Sequence, residues 1–180
     1  MTTYAVRAAR AEDAEAVALL HADSWRRHYR GAYADSFLDG DLEADRRKVW
    51  VARLAGPGRS ATLLAEDDRG LAGFIHVVLD DDPRWGSLID NLHVRADLHR
   101  TGLGTTLVRE GGRAVLAGTD REAVYLWVLE QNTAAQAFYR RRGATPAERC
   151  PCRPPGIATN GAPYKLRMVW PDAAELVGGV

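Results

Sequence analysis

The sequence is short of cysteine, of net charge and of long apolar runs, and each shortage closes off a class of protein. Two cysteines stand in 180 residues, Cys150 and Cys152. They are too close together for an easy intrachain disulfide and too few for a zinc site, so no metal is expected. A reducing, cytoplasmic location is the expectation that follows. Lysine plus arginine equals aspartate plus glutamate at 24 each, a formal charge of zero. That argues against holding nucleic acid or an anionic membrane through bulk charge, while leaving a local basic patch open. No apolar run approaches the roughly 18 residues of a membrane span. Met1-Thr2-Thr3-Tyr4 lacks the basic start and apolar stretch of a signal peptide. No internal repeat and no linker divides the chain.

What remains is an ordinary globular composition, 46% hydrophobic, at a length that suits one domain spanning residues 1–180. Tyr4 to Ala8 alternates weakly and reads as a strand. Ala14, Val17, Ala18, Leu20, His21 and Trp25 follow helical spacing, and Gly31 closes that helix. A second helix is expected over Leu42 to Leu54, its acids early and its bases late, stopped by Gly56-Pro57-Gly58. Ala61 to Glu66 and Leu71 to Leu79 read as a hairpin about Asp67-Asp68-Arg69-Gly70, with a second turn at Asp80-Asp81-Asp82-Pro83. Ala123 to Val128, apolar on both faces, reads as a central strand. Thr133 to Arg141 reads as a helix closed by Gly143. The tail from about 145 to 170 holds proline-rich loops and a last strand, Tyr164 to Trp170. The order β-α-α-β-β-β-α-β-α-β-β gives an α/β class, a mixed, mostly antiparallel sheet flanked by helices.

The stretch from Leu88 to Val108 carries the first chemical signal. Leu88, Leu92 and Val94 share one parity, Asp90 interrupts them, and Ile89 adds an apolar side chain on the other face. This suits a largely buried strand. Gly102 and Gly104 then make a tight turn, and a helix begins at about Thr105. The first amides of a helix lack internal partners and sit at its positive end, so a glycine turn feeding a helix is a phosphate site. A P-loop would need Lys-Ser/Thr after the last glycine, where Thr105 and Thr106 stand. A dinucleotide fingerprint would need a third glycine at position 107, which is Leu.

The run His99-Arg100-Thr101-Gly102-Leu103-Gly104 resembles motif A of the GNAT superfamily of N-acetyltransferases, where Gln/Arg-x-x-Gly-x-Gly/Ala cradles the pyrophosphate of acetyl-CoA. The glycines match, and His99 departs from the pattern at its first position. A second resemblance is more specific. The strand through Val128, then Asn132, the pair Phe138-Tyr139 and the closing Gly143 match the family's other signature, about 30 residues downstream. The order of elements is also that of the family.

The resemblance implies an acetyl-CoA-dependent acyltransferase that acts on a primary amine of a small molecule or peptide by direct transfer in a ternary complex. It implies parallel, splayed strands at 88–94 and 124–128. Backbone groups of Leu92, His93 and Val94 would face pantetheine, and amides from Arg100 through Thr101, Gly102, Leu103 and Gly104 to Thr105 would hold the pyrophosphate. Asn132 would bond the pantetheine arm, and Tyr139 would protonate the departing sulfur. Asp90 is the first choice of base by its place on the strand, with His76, Glu66 and His93 as alternatives. Plainer readings stand beside these. The glycines also suit a bare turn, Asp90 an ion pair, and Trp25, Tyr29 and Tyr33 a core or groove lining. Arg140-Arg141-Arg142 suits a solvated helix end, with the 3′-phosphate of CoA as another contact. The rival function is a non-catalytic acyl-CoA-binding regulatory domain. The acceptor cannot be read from these residues, and the resemblance leaves a homodimer open.

Overall fold

The computed structural model describes residues 4–56 and 58–178; Met1 to Thr3 and Pro57, which entered the readings of the N-terminus and of the second helix's end, lie outside them. Seven strands form one sheet in the order β1-β2-β3-β4-β5-β7-β6. They are β1 (Ala5–Ala8), β2 (Ser60–Asp67), β3 (Gly70–Asp82), β4 (Gly86–Val94), β5 (Val124–Leu129), β6 (Thr145–Pro151) and β7 (Tyr164–Trp170). The helices are α1 (Ala14–His28), α2 (Asp35–Leu38), α3 (Leu42–Ala55), α4 (Leu103–Gly118), α5 (Thr133–Arg140) and α6 (Ala174–Gly178). Every paired neighbour is antiparallel except β4 with β5. The α/β class and the expected order hold, with α2 and α6 as short additions.

Apolar spacing explains the two layers that cover the sheet. Leu103, Leu107, Val108 and Val115 put one stripe of α4 on the sheet, where they join Ile75, Val77, Ile89, Leu126 and Met168 in the largest buried cluster. On the other face Val17 and Ala18 of α1 and Trp50 of α3 bury Leu64 and Phe74.

The decisive irregularity is in β4. Val77 of β3 pairs with Ile89, but His76 pairs with Asn91, so Asp90 is an extra residue in the strand. Such a bulge bends and twists its strand. It also overturns the parity reading of the sequence. Leu92 and Val94 pack with Ile89 against the α4 cluster, whereas Asp90 and Asn91 meet Arg53 of α3. Leu88 does not share a face with Leu92, because the bulge inverts the alternation between them.

Two local expectations are also corrected. Helix α4 starts at Leu103 rather than Thr105, because Gly102 takes a left-handed φ of 91° and turns the chain there. Strand β3 runs on through Asp80 to Asp82, and the turn lies beyond it, where the Asp82 carboxylate accepts from the amides of Arg84 and Trp85 at 2.7 and 3.0 Å. The first of the two closing strands in the expected order, for which the sequence marked no bounds, is the edge strand β6. Pro146 and Pro151 are tolerated there because only one side of the strand is paired.

Candidate active site

Strands β4 and β5 pair through Ser87–Val124, Leu88–Tyr125 and Ile89–Leu126 and then separate. Their facing edges leave a groove of about 1000 Å³ floored by Leu92, His93 and Val94 on one side and by Trp127 and Val128 on the other. A backbone edge that loses its partner strand still has donors and acceptors to satisfy. An extended ligand bearing amides suits it, as an added strand would.

One end of the groove is built for anions. Arg100 has a left-handed φ of 65°, Gly102 follows at 91°, and α4 begins. The first bond back into this turn runs from the Thr106 amide to the Gly102 carbonyl at 3.1 Å. The amides of Leu103, Gly104 and Thr105 therefore stand at the helix start without helical partners. Arg100, Arg141 and Arg142 line the same end. Burial, then the neighbouring Arg109, holds the Arg142 guanidinium below its ordinary pKa, and its Nε is buried without a partner. Of the motif's residues, His99, Arg100, Gly102, Gly104 and Thr105 reach the groove. Thr101 and Leu103 do not. The Thr101 hydroxyl donates to the Leu98 carbonyl at 2.8 Å, and the Leu103 side chain is core.

The other end holds the groups suited to chemistry. Asn132 caps α5, its Oδ1 accepting from the Ala135 amide at 3.1 Å. That leaves its Nδ2 to donate into the groove it lines. Two turns along α5, Tyr139 is only 9% exposed, edge-on to Trp170 at 6.1 Å. Its hydroxyl makes no hydrogen bond among the described residues. Burial, with a smaller contribution from Tyr29, raises the phenol well above its ordinary pKa. It is therefore fully protonated at neutral pH.

The four candidate bases are distributed unevenly. Asp90 lines the groove and is held by Arg53 Nη2 at 2.7 Å. His93 also lines it, but its ring lies under α1. Its Nδ1 is 2.7 Å from Ser24 Oγ, its ring stacks on His21 at 4.7 Å, and burial pushes its pKa down to about 3. His76 is bound by Thr62 Oγ1 at 2.7 Å, away from the groove, and burial lowers it to about 4. Glu66 pairs with Arg7 near the sheet edge, also away from the groove. Among the described residues no group of three His, Cys, Asp or Glu could hold a metal.

Ser24 and His28 of α1 and Tyr29 at its C-cap also line the groove. Tyr29 is half-buried, stacked on Trp25 at 5.1 Å, and pushed up to about 12 by burial first and then by Asp90. The aromatic spacing Trp25, Tyr29, Tyr33 was the only sequence signal for this wall. No local pattern in Ser24 or His28 marks them as groove residues.

Together these parts fit a long ligand with an anionic end, an amide-bearing arm and a reactive end beside Tyr139. Residues 22–144 match the Acetyltransferase (GNAT) family. YuaI of Bacillus subtilis (strain 168), an uncharacterized N-acetyltransferase, is 25% identical over 139 residues, which are 75% of this chain and 76% of that protein. Among solved structures, the PaiA N-acetyltransferase of Thermoplasma acidophilum in complex with coenzyme A has a TM-score of 0.72 at 17% identity, covering 93% of this chain and 99% of its own. The structure of yncA from Salmonella typhimurium with its cofactor acetyl-CoA has a TM-score of 0.68 at 16% identity and covers 94% of each chain.

Proposed function

The chain belongs to the GNAT family of acetyltransferases, and we propose that it carries acetyl from acetyl-CoA directly to a primary amine of a small molecule or a protein within a ternary complex. Acetyl-CoA is the co-substrate and supplies the thioester. The observation that carries the reading is the parting of β4 from β5 at the Asp90 bulge, with the glycine turn, Asn132 and Tyr139 all lining the gap.

The residues divide the work as follows. Amides of the turn from Gly102 to Thr105, with the α4 dipole behind them, hold the pyrophosphate beside Arg100, while the Thr101 amide is taken by the Leu98 carbonyl at 3.4 Å. The backbone of Leu92, His93 and Val94 aligns the pantetheine arm, and the Asn132 Nδ2 donates to one of its carbonyls. Holding a flexible arm in this way lowers the entropic barrier to attack. The acceptor must lose a proton to become nucleophilic. Asp90 takes it through a water, since a carboxylate is a far weaker base than an amine and a poor direct acceptor from an ammonium. As the new C–N bond forms and the C–S bond breaks, the Tyr139 hydroxyl gives its proton to the sulfur. The same apolar surroundings that keep the phenol protonated also disfavour a free thiolate, so transfer relieves both.

The test is release of free CoA thiol from acetyl-CoA across a panel of aminoglycosides, polyamines, amino acids and peptide N-termini. Turnover with one amine class is expected. Tight CoA binding with no turnover of any class would replace this reading with that of a regulatory acyl-CoA-binding domain.

A further inference from the structure

The residue that departs from the family pattern is not idle. The His99 Nε2 lies 3.1 Å from the Val94 carbonyl oxygen. A carbonyl only accepts, so Nε2 carries the hydrogen and Nδ1 is left with a free lone pair. Across the groove mouth the His28 ring, from the last residue of α1, faces His99 at 5.8 Å and 26°. Both rings are exposed, and both line the groove where the arm would pass to the phosphates. Helix α1 and the glycine turn thus meet through two imidazoles beside a site for a dianionic pyrophosphate. Each ring can take up a proton, and a charge on one disfavours a charge on the other, so the pair takes one proton more easily than two.

We propose that His28 and His99 form a proton-accepting clamp on the pyrophosphate of acetyl-CoA, so that the ligand binds with uptake of a proton and more tightly as pH falls through neutrality. The proposal rests on the acetyl-CoA reading above and deepens it by naming a regulator of that site. Without ligand, partial burial, then His99 and Arg27, hold His28 below its ordinary pKa, against a smaller pull from Asp23. Negative charge arriving beside the two rings favours a proton on them. Other charged and titratable groups face the pair. Asp23 is paired with Arg27 at 2.8 Å on α1. His93 beneath, on β4, is held neutral by burial. Arg100 in the turn and Arg141 and Arg142 at the end of α5 keep their charge.

Dephospho-CoA is the appropriate probe, because it keeps the pyrophosphate but lacks the monoester phosphate whose own pKa of about 6 would confuse the count. Calorimetric titration at pH 7 in buffers of different ionisation enthalpy should show uptake of about half a proton per site. By linkage the dissociation constant should then fall about tenfold from pH 8 to pH 6. In His28→Gln with His99→Gln, where the new amide at 99 can still donate to Val94, uptake should vanish and affinity should lose its pH dependence. Binding by the wild-type protein without proton uptake overturns the clamp and leaves the acetyl-CoA reading standing, as does uptake unchanged in the double variant. Failure of the wild-type protein to bind dephospho-CoA overturns the acetyl-CoA reading itself. The wild-type measurement decides the matter even if the double variant does not fold.

Discussion

Tyr139 is a core side chain that the proposed reaction also uses as its proton donor. Its ring is packed edge-on to Trp170 and its hydroxyl has no partner among the described residues. Tyr139 lines the groove, and its hydroxyl is not among the buried unpartnered polar atoms, so it is open to a ligand there. Tyr139→Phe should keep the packing and remove the donor. The expected result is a fall in kcat of about 10²-fold at saturating acetyl-CoA, with the dissociation constant for CoA nearly unchanged. Steady-state kinetics and a direct binding titration check it, and an unaltered rate across the pH range would show that the sulfur takes its proton elsewhere. Asn132 also has two duties, and these can be separated. Asn132→Asp keeps the cap on α5 and places a carboxylate where the amide donated. It should retain stability while weakening CoA binding about tenfold. Asn132→Ala should lose about 1 kcal/mol of stability as well. Equal CoA affinity in the wild-type and aspartate proteins would remove Asn132 from the binding site.

At the scale of elements, the groove exists because β4 and β5 are joined at one end only. The join begins where the Ser87 amide donates to the Ala123 carbonyl at 3.0 Å. Gly86 makes this possible. It sits at a left-handed φ of 80°, and a Cβ there would lie 2.0 Å from the Ala123 oxygen. That atom is backbone and cannot swing aside. Gly86→Ala should therefore cost about 2 kcal/mol or more and should reduce CoA affinity by shifting the register of the only parallel pair in the sheet. Denaturant unfolding and CoA titration would check the two effects, and a neutral substitution would mean the join is not the hinge of the groove. The elements that local pattern dictates were legible beforehand. Gly102, Asn132 and Gly143 sit at the spacings where their conformations or hydrogen bonds are used. The Asp90 bulge was not legible, because an extra residue shows only against the partner strand. Nor were Ser24 and His28, which reach the groove only through the packing of α1 on β4. The start of α4 was displaced by two residues for a smaller reason: Gly102, read as part of the turn, is itself the cap.

At the scale of the molecule, the layer of α1 and α3 is packed on the sheet through buried imidazoles. The Trp50 Nε1 donates to His21 Nδ1 at 2.9 Å, so the hydrogen of His21 is on Nε2, which is buried without a partner. His21 stacks on His93, and His76 lies edge-on to Trp50 at 5.4 Å. Burial is the main cause holding all three below the ordinary histidine pKa, His76 at about 4 and His93 at about 3. The unfolded chain takes up protons below about pH 6.5 while the folded chain does not, so stability is full above that pH and falls as pH drops toward 4 and 3. Each histidine that stays neutral contributes a loss of about 2 kcal/mol between pH 7 and pH 5. Paired carboxylates such as Asp13 and Asp97, whose pKa values are lowered by arginines, lose their share only below about pH 4. The two windows are therefore distinct, and the loss above pH 5 belongs to the histidines. Urea unfolding at pH 7, 6 and 5 should show the midpoint falling steadily. His76→Gln should be less stable at pH 7 but lose less on acidification, because one imidazole no longer titrates on unfolding. A midpoint that is flat from pH 7 to pH 5 would mean that these rings protonate in the folded protein as they do in water, and that the layer is more open to solvent than its packing implies.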